Sequence, residues 1–120
     1  MNQIINNRCN TLKYLIIVYL TLSLLPSLAY SATATYYAKR FSGRRMANGE
    51  IYRPYKMVAA HRRYRLGTRL KVTNRRNGKS VIVRVADRCR CSLDLSPRAF
   101  RRIGSLRQGR IPVTIKVIRR

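Results

Sequence analysis

Glu50, Asp87, Asp94 and His61 are the only side chains of this 120-residue chain that titrate in the acidic-to-neutral range. They stand among 27 Lys and Arg, which give a formal net charge of +24. Acids scattered over such a surface would aid solubility and local pairing, so a total of three implies a specific task for each. Two carboxylates and an imidazole are what glycosidic bond cleavage needs. One acid protonates the leaving oxygen, and the other groups stabilise charge or take up a proton as the bond breaks. His61 follows Glu50 by eleven residues and precedes Asp87 by twenty-six, so only a fold can bring them together. Read blandly, Glu50 is an exposed turn acid after Asn48-Gly49, and Asp87 a strand-end residue paired with an arginine. Asp94 directly precedes a helix start, where a carboxylate can accept backbone N–H bonds, and is read as structural.

The elements that must position these groups are mostly strands. Leu70 and Val72 alternate with Arg69, Lys71 and Thr73, and the alternation resumes at Val81, Val83 and Val85 beyond Asn77-Gly78. This pattern predicts two half-buried strands joined by a tight turn. Val113 to Ile118 is a third strand, and Thr33 to Tyr37 a weaker one. Ser96 as cap, Pro97 at the first helical position, Phe100 and Ile103 on one side and Gly104 at the end mark one short helix. Short strands with one minor helix point to a closed barrel, because closure removes exposed sheet edges. No internal repeat or linker divides the chain.

Residues 1–34 read as a secretory signal, with Arg8 and Lys13 ahead of the uncharged run Tyr14 to Leu25. Ser27-Leu28-Ala29 and Ala32-Thr33-Ala34 are alternative cleavage motifs. Pro26 interrupts the apolar run, which argues against a retained membrane anchor. No cysteine follows the run where lipid attachment would need one. The domain proper is then residues 35–120, secreted or periplasmic, and no longer membrane-bound after cleavage. Cys89 and Cys91 remain. They could bond across one residue, pair between molecules or stay as thiols. With His61 as a third ligand they make a weak metal set, so no metal or cofactor is expected.

Several motifs carry a resemblance. Phe41-Ser42-Gly43-Arg44-Arg45-Met46-Ala47-Asn48-Gly49-Glu50 is followed in order by Ala59-Ala60-His61, Leu66-Gly67-Thr68, Val72-Thr73-Asn74, Val83-Arg84-Val85-Ala86-Asp87-Arg88 and Asp94-Leu95-Ser96. Together they resemble the rare lipoprotein A (RlpA) family over nearly all of the region after the leader. The resemblance implies a six-stranded double-psi β-barrel, shared with expansins, and lytic transglycosylase activity on peptidoglycan glycan strands that leaves an anhydro sugar end. It makes Asp87 the general acid, Glu50 a second carboxylate of the groove and His61 their neighbour. The chain departs from the pattern at Asp87-Arg88-Cys89-Arg90-Cys91, where the family commonly has Asp-Arg-Gly-Pro, and at Met46, where a threonine is common. Arg88 and Arg90 flank Asp87. If their side chains turned toward it they would favour its charged form, and Glu50 would become the better donor.

The excess of cations implies an anionic partner. An exported chain without a nucleic-acid motif points away from DNA and RNA and toward peptidoglycan or another anionic wall polymer. Tyr36, Tyr37, Tyr52, Tyr55 and Tyr64 could stack on sugar faces. The alternatives to an enzyme are a non-catalytic, expansin-like wall-binding module and a basic protein that coats an anionic surface. A monomer is expected.

Overall fold

The computed structural model describes residues 28–119, so most of the leader lies outside the described residues. Six strands run in chain order: β1 (Ala29–Tyr36), β2 (Val58–Ala60), β3 (Arg69–Asn74), β4 (Ser80–Asp87), β5 (Leu93–Leu95) and β6 (Ile111–Arg119). They close into a barrel in the order β1, β5, β2, β4, β3, β6. The pairs of β1 with β5 and of β2 with β4 are parallel, and the other ladders are antiparallel. The mainly β, closed six-stranded architecture with one short helix is the expected one.

The period-two pattern fills the barrel. Leu70 and Val72 from β3, Val83 and Val85 from β4, Leu93 and Leu95 from β5, and Val113 and Ile115 from β6 point inward and are buried. The strand register sets their alternation with exposed cations such as Arg69 and Lys71. Helix α1 (Pro97–Ile103) closes one side of this core with Ala99, Phe100 and Ile103. Ser96 caps it by accepting from the N–H of Ala99 at 3.4 Å. Gly104 ends it for want of space: its φ of −174° is open to any residue, but a Cβ there would run into Ile111 Cδ1 and lie 2.6 Å from Gln108 Oε1.

Two expectations change in detail. β1 begins at Ala29, ahead of the expected Thr33, because Ala29 to Ala34 pair with Lys116 to Ile111 of β6. The β3–β4 connection is also longer than a two-residue hairpin, running from Arg75 to Lys79. Only Gly78 takes a positive φ there, 74°. Asn77 uses its side chain instead, donating to the carbonyl of Ile103 at 3.0 Å, beside Asn74, which donates to the same oxygen at 2.7 Å. The loop is thereby tied to the end of α1.

A second, smaller core lies beside the first and is built from Tyr37, Met46, Tyr52, Val58, Ala60 and Ala86. It underlies the long connection between β1 and β2. Phe100 joins helix to barrel, its ring 4.9 Å from that of Tyr36. Phe100→Ala is expected to cost about 3–5 kcal/mol through lost burial and a residual cavity, read as a lowered midpoint in denaturant unfolding with the slope unchanged.

Candidate functional site

The short strand β2 brings two aspartates together. Ala60, its last residue, pairs with Asp87 of β4 on one side and with Asp94 of β5 on the other. Residues at matched register on neighbouring strands share a face. The two carboxyl groups therefore flank the small methyl of Ala60.

Asp87 is held by three donors. Its Oδ1 accepts from the backbone N–H of Ala47 and of Arg88, each at 2.9 Å, and its Oδ2 accepts from the Tyr37 hydroxyl at 2.9 Å. The chain reversal after Arg45, closed by a bridge to Ile51, delivers Ala47. Tyr37 is buried, and its ring stacks on Tyr52 with centroids 4.4 Å apart. Burial, with the hydrogen bond to Asp87 next in weight, pushes the Tyr37 phenol far above its ordinary range, so it acts as a donor only. Burial also pushes Tyr52 up to about 12, and its buried hydroxyl has no hydrogen-bond partner among the described residues. Together with Phe41, Arg44 and Met46 these side chains line a cleft of about 200 Å³.

Asp94 has a different role from the one expected. Its Oδ1 accepts from the Thr35 hydroxyl at 3.0 Å and from no helix N–H, since Ser96 caps α1. Burial raises its pKa above the ordinary carboxylate value, the Thr35 bond opposes this, and the nearby charge of Asp87 adds to the rise. Leu93 and Leu95 are both fully buried in the barrel. The alternation Leu93-Asp94-Leu95 could have shown that Asp94 points out of the core toward the opposite face.

Glu50 sits on the reversal that carries Ala47, but its carboxylate turns to Arg84. Two bonds of 3.2 and 2.7 Å hold it, making the one ion pair among the described residues. The hydrogen bond from Arg84 is the main cause of its lowered pKa. Arg88 does not pair with Asp87, because its guanidinium donates to the carbonyls of His61 and Tyr64 at 3.2 and 2.6 Å.

His61 joins Asp87 through the backbone, its N–H donating to the Asp87 carbonyl at 3.1 Å. Its ring goes elsewhere. Nδ1 accepts from the N–H groups of Arg63 and Tyr64 at 3.0 and 3.1 Å, and the ring packs 4.2 Å from that of Tyr64. It lines a separate cleft of about 410 Å³ with Tyr30, Tyr64 and Ser92. An Nδ1 that accepts two N–H bonds leaves the proton of the neutral ring on Nε2. Cys89 and Cys91 are joined as a disulfide within the chain, so neither is a free thiolate for a metal. The bond spans the loop between β4 and β5, the strands that carry the two aspartates.

A family model described as lytic transglycolase matches residues 30–115. A Synechocystis protein of uncharacterised function is 58% identical over 83 residues, covering 69% of this chain and 92% of that protein. The endolytic peptidoglycan transglycosylase RlpA of Vibrio cholerae is 44% identical over 92 residues, which cover 73% of this chain and 35% of that protein. The chain thus spans about a third of the RlpA protein it matches. Among solved structures, a point mutant of the Clavibacter michiganensis expansin in complex with cellohexaose aligns with a TM-score of 0.63 at 26% identity, over 77% of this chain and 51% of that one.

The accepting role of His61 has a measurable consequence. Burial first, then Arg62, Arg88 and Arg63, lower its pKa below the ordinary histidine value. The stability this contributes is present above the unfolded-state pKa, roughly 6.5, and is lost as pH falls through the depressed folded-state value. Thermal unfolding of the wild type is expected to lose more stability between pH 7.5 and pH 5 than that of His61→Asn, whose amide oxygen can accept the same N–H bonds without titrating.

Proposed function

The chain belongs to the RlpA-like double-psi β-barrel family, and from that premise we propose that it is a lytic transglycosylase of peptidoglycan glycan strands. The observation that carries this reading is the pair Asp87 and Asp94 on either side of Ala60. One carboxyl has a raised pKa and the other is fixed by three donors beside an aromatic cleft. Asp94, the group with the raised pKa, donates its proton to the glycosidic oxygen as the bond to the anomeric carbon breaks. Asp87 faces the positive charge that develops on the sugar. A hydroxyl of the same sugar then attacks the anomeric carbon and passes its proton to the Asp94 carboxylate left by the first step, so an anhydro ring closes without water and Asp94 ends protonated as it began. Asp87 keeps the place in the groove that the resemblance gives it, and the donor role passes to Asp94. Glu50 orders the reversal through Arg84, and His61 orders the turn after β2.

A second reading, a wall-binding module that does not cut, is favoured by the likeness to an expansin solved in complex with cellohexaose. Mass analysis of products separates the two. Purified glycan strands should yield fragments with anhydro ends, and Asp94→Asn and Asp87→Asn should each lower the rate by about 10²–10⁴-fold while binding survives. Activity of the wild type should fall as pH rises through the elevated pKa of Asp94. Binding without any released fragment would leave the second reading as the account.

Action on the wall requires export, and β1 bears on where the leader ends. Cleavage after Ala34 would strip the six residues that pair with β6, whereas cleavage after Ala29 removes one. We therefore place the cut at Ala29. Intact mass of the exported protein should show a chain that starts at Tyr30, and a chain starting at Thr35 would refute this.

A further inference from the structure

Most arginines with assigned contacts in this molecule are occupied by carbonyl oxygens. Arg62 donates to Cys91 and Arg90, Arg88 to His61 and Tyr64, and Arg98 to Tyr55. Arg45, at the rim of the Asp87 cleft, donates to Gly49 at 2.9 Å. Arg44, which lines the same cleft, and Arg40 are held differently. The guanidinium carbons of Arg40 and Arg44 lie 5.2 and 5.4 Å from the centroid of the Phe41 ring. That ring is partly buried against the smaller core and meets Tyr37 edge-on at 6.0 Å.

A ring under a guanidinium fixes the position of the cation without consuming its N–H groups. Those groups remain free for the two oxygens of a carboxylate. Among the described residues neither Arg40 nor Arg44 has a carboxylate within ion-pair distance. Arg44, Phe41 and Tyr37 line the cleft that holds Asp87. The Asp87 carboxylate would repel an anionic substituent brought next to it, whereas the Arg40 and Arg44 side attracts it. An acidic glycan could then lie in the cleft with its carboxylate toward Phe41 and its scissile bond toward the aspartates.

We propose that Arg40, Phe41 and Arg44 form a carboxylate-binding subsite at the mouth of the Asp87 cleft, so that the strand taken is one bearing a carboxylate close to the bond acted on. The proposal deepens the glycan-strand reading and rests on it. The carboxylate could be the lactyl group that peptide removal exposes on the sugar, or could belong to a stem peptide.

Calorimetry on the full domain in an Asp94→Asn background, which slows turnover, tests this with three ligands. They are a peptide-free glycan oligosaccharide with free lactyl carboxylates, the same oligosaccharide with those groups converted to amides, and a stem-bearing oligosaccharide. Adding Arg40→Gln with Arg44→Gln should weaken binding of a carboxylate-bearing ligand about two- to thirtyfold, the range for two exposed charge pairs. Binding of the amide should be unchanged. Which ligand loses affinity, the peptide-free or the stem-bearing one, identifies the source of the carboxylate.

Arg75→Gln with Arg76→Gln removes the same charge at the distant β3–β4 turn and should have little effect. Equal weakening by both double variants, equal affinity of the amide, or no binding of any of the three ligands would overturn the subsite. A thermal midpoint for the Arg40 and Arg44 variant within a few degrees of its parent shows that folding is intact. If the wild type releases no fragments but the carboxylate preference is found, the transglycosylase reading fails and the subsite stands.

Discussion

The pairing of Ala60 with Asp87 on one side and Asp94 on the other is the constraint on which the rest of the site depends. β2 has only three residues, Val58–Ala60, all buried, yet it joins β4 in parallel and β5 in antiparallel fashion. Without it the two aspartates would end separate ladders. Its register shift between Ala59 and Ala60 falls where the strand meets Asp87, and irregularities of this kind re-aim side chains next to functional sites. The alanine matters for its size, since a larger side chain would fill the space between the carboxyl groups. Two strand spacings, about 9.5 Å, set the scale of their backbone separation and leave room for a sugar.

The surroundings then separate two chemically identical groups. Asp87 is surrounded by donors that the β1–β2 connection and its own chain supply, while partly buried Asp94 has one hydroxyl. In the proposed reaction this difference in environment divides the labour, a common way for paired carboxyls to take distinct roles. The tyrosines support this division. Tyr37 stays protonated and donates, and its stack on Tyr52 keeps the hydroxyl aimed at Asp87.

A chain with 27 Lys and Arg and three carboxylates cannot neutralise itself by ion pairs. Several cationic side chains instead serve as staples, spanning loops and donating to carbonyls at their ends: Lys56 to Ile51, Arg62 to Arg90 and Cys91, Arg88 to His61 and Tyr64. This satisfies backbone oxygens in the connections flanking the aspartates and leaves the net charge outside. An anionic polymer is the natural counterpart of such a field, and salt should weaken its attraction because exposed charges are screened within about 10 Å at 0.1 M ionic strength.

The sequence by itself determined which faces are inside. Alternation in Leu70 to Val85 and in Val113 to Ile115, and the Ser96-Pro97 start of α1, are local signals, and strands and helix formed where they lay. Carboxylate scarcity likewise marked Asp87, and the motif order marked the fold. Tertiary structure decided what each residue meets. β2 is too short to show a period, and a period reveals the face of a strand but never its neighbour, so the pairing of Ala60 with both aspartates was not legible. For the same reason Glu50 had to await Arg84, thirty-four residues away, before its carboxylate had a direction. The His61 ring is held as the acceptor of a turn because two N–H groups close by in the chain reach Nδ1. Cross-strand registry and competition for hydrogen bonds are properties of the closed barrel, and only closure fixes them.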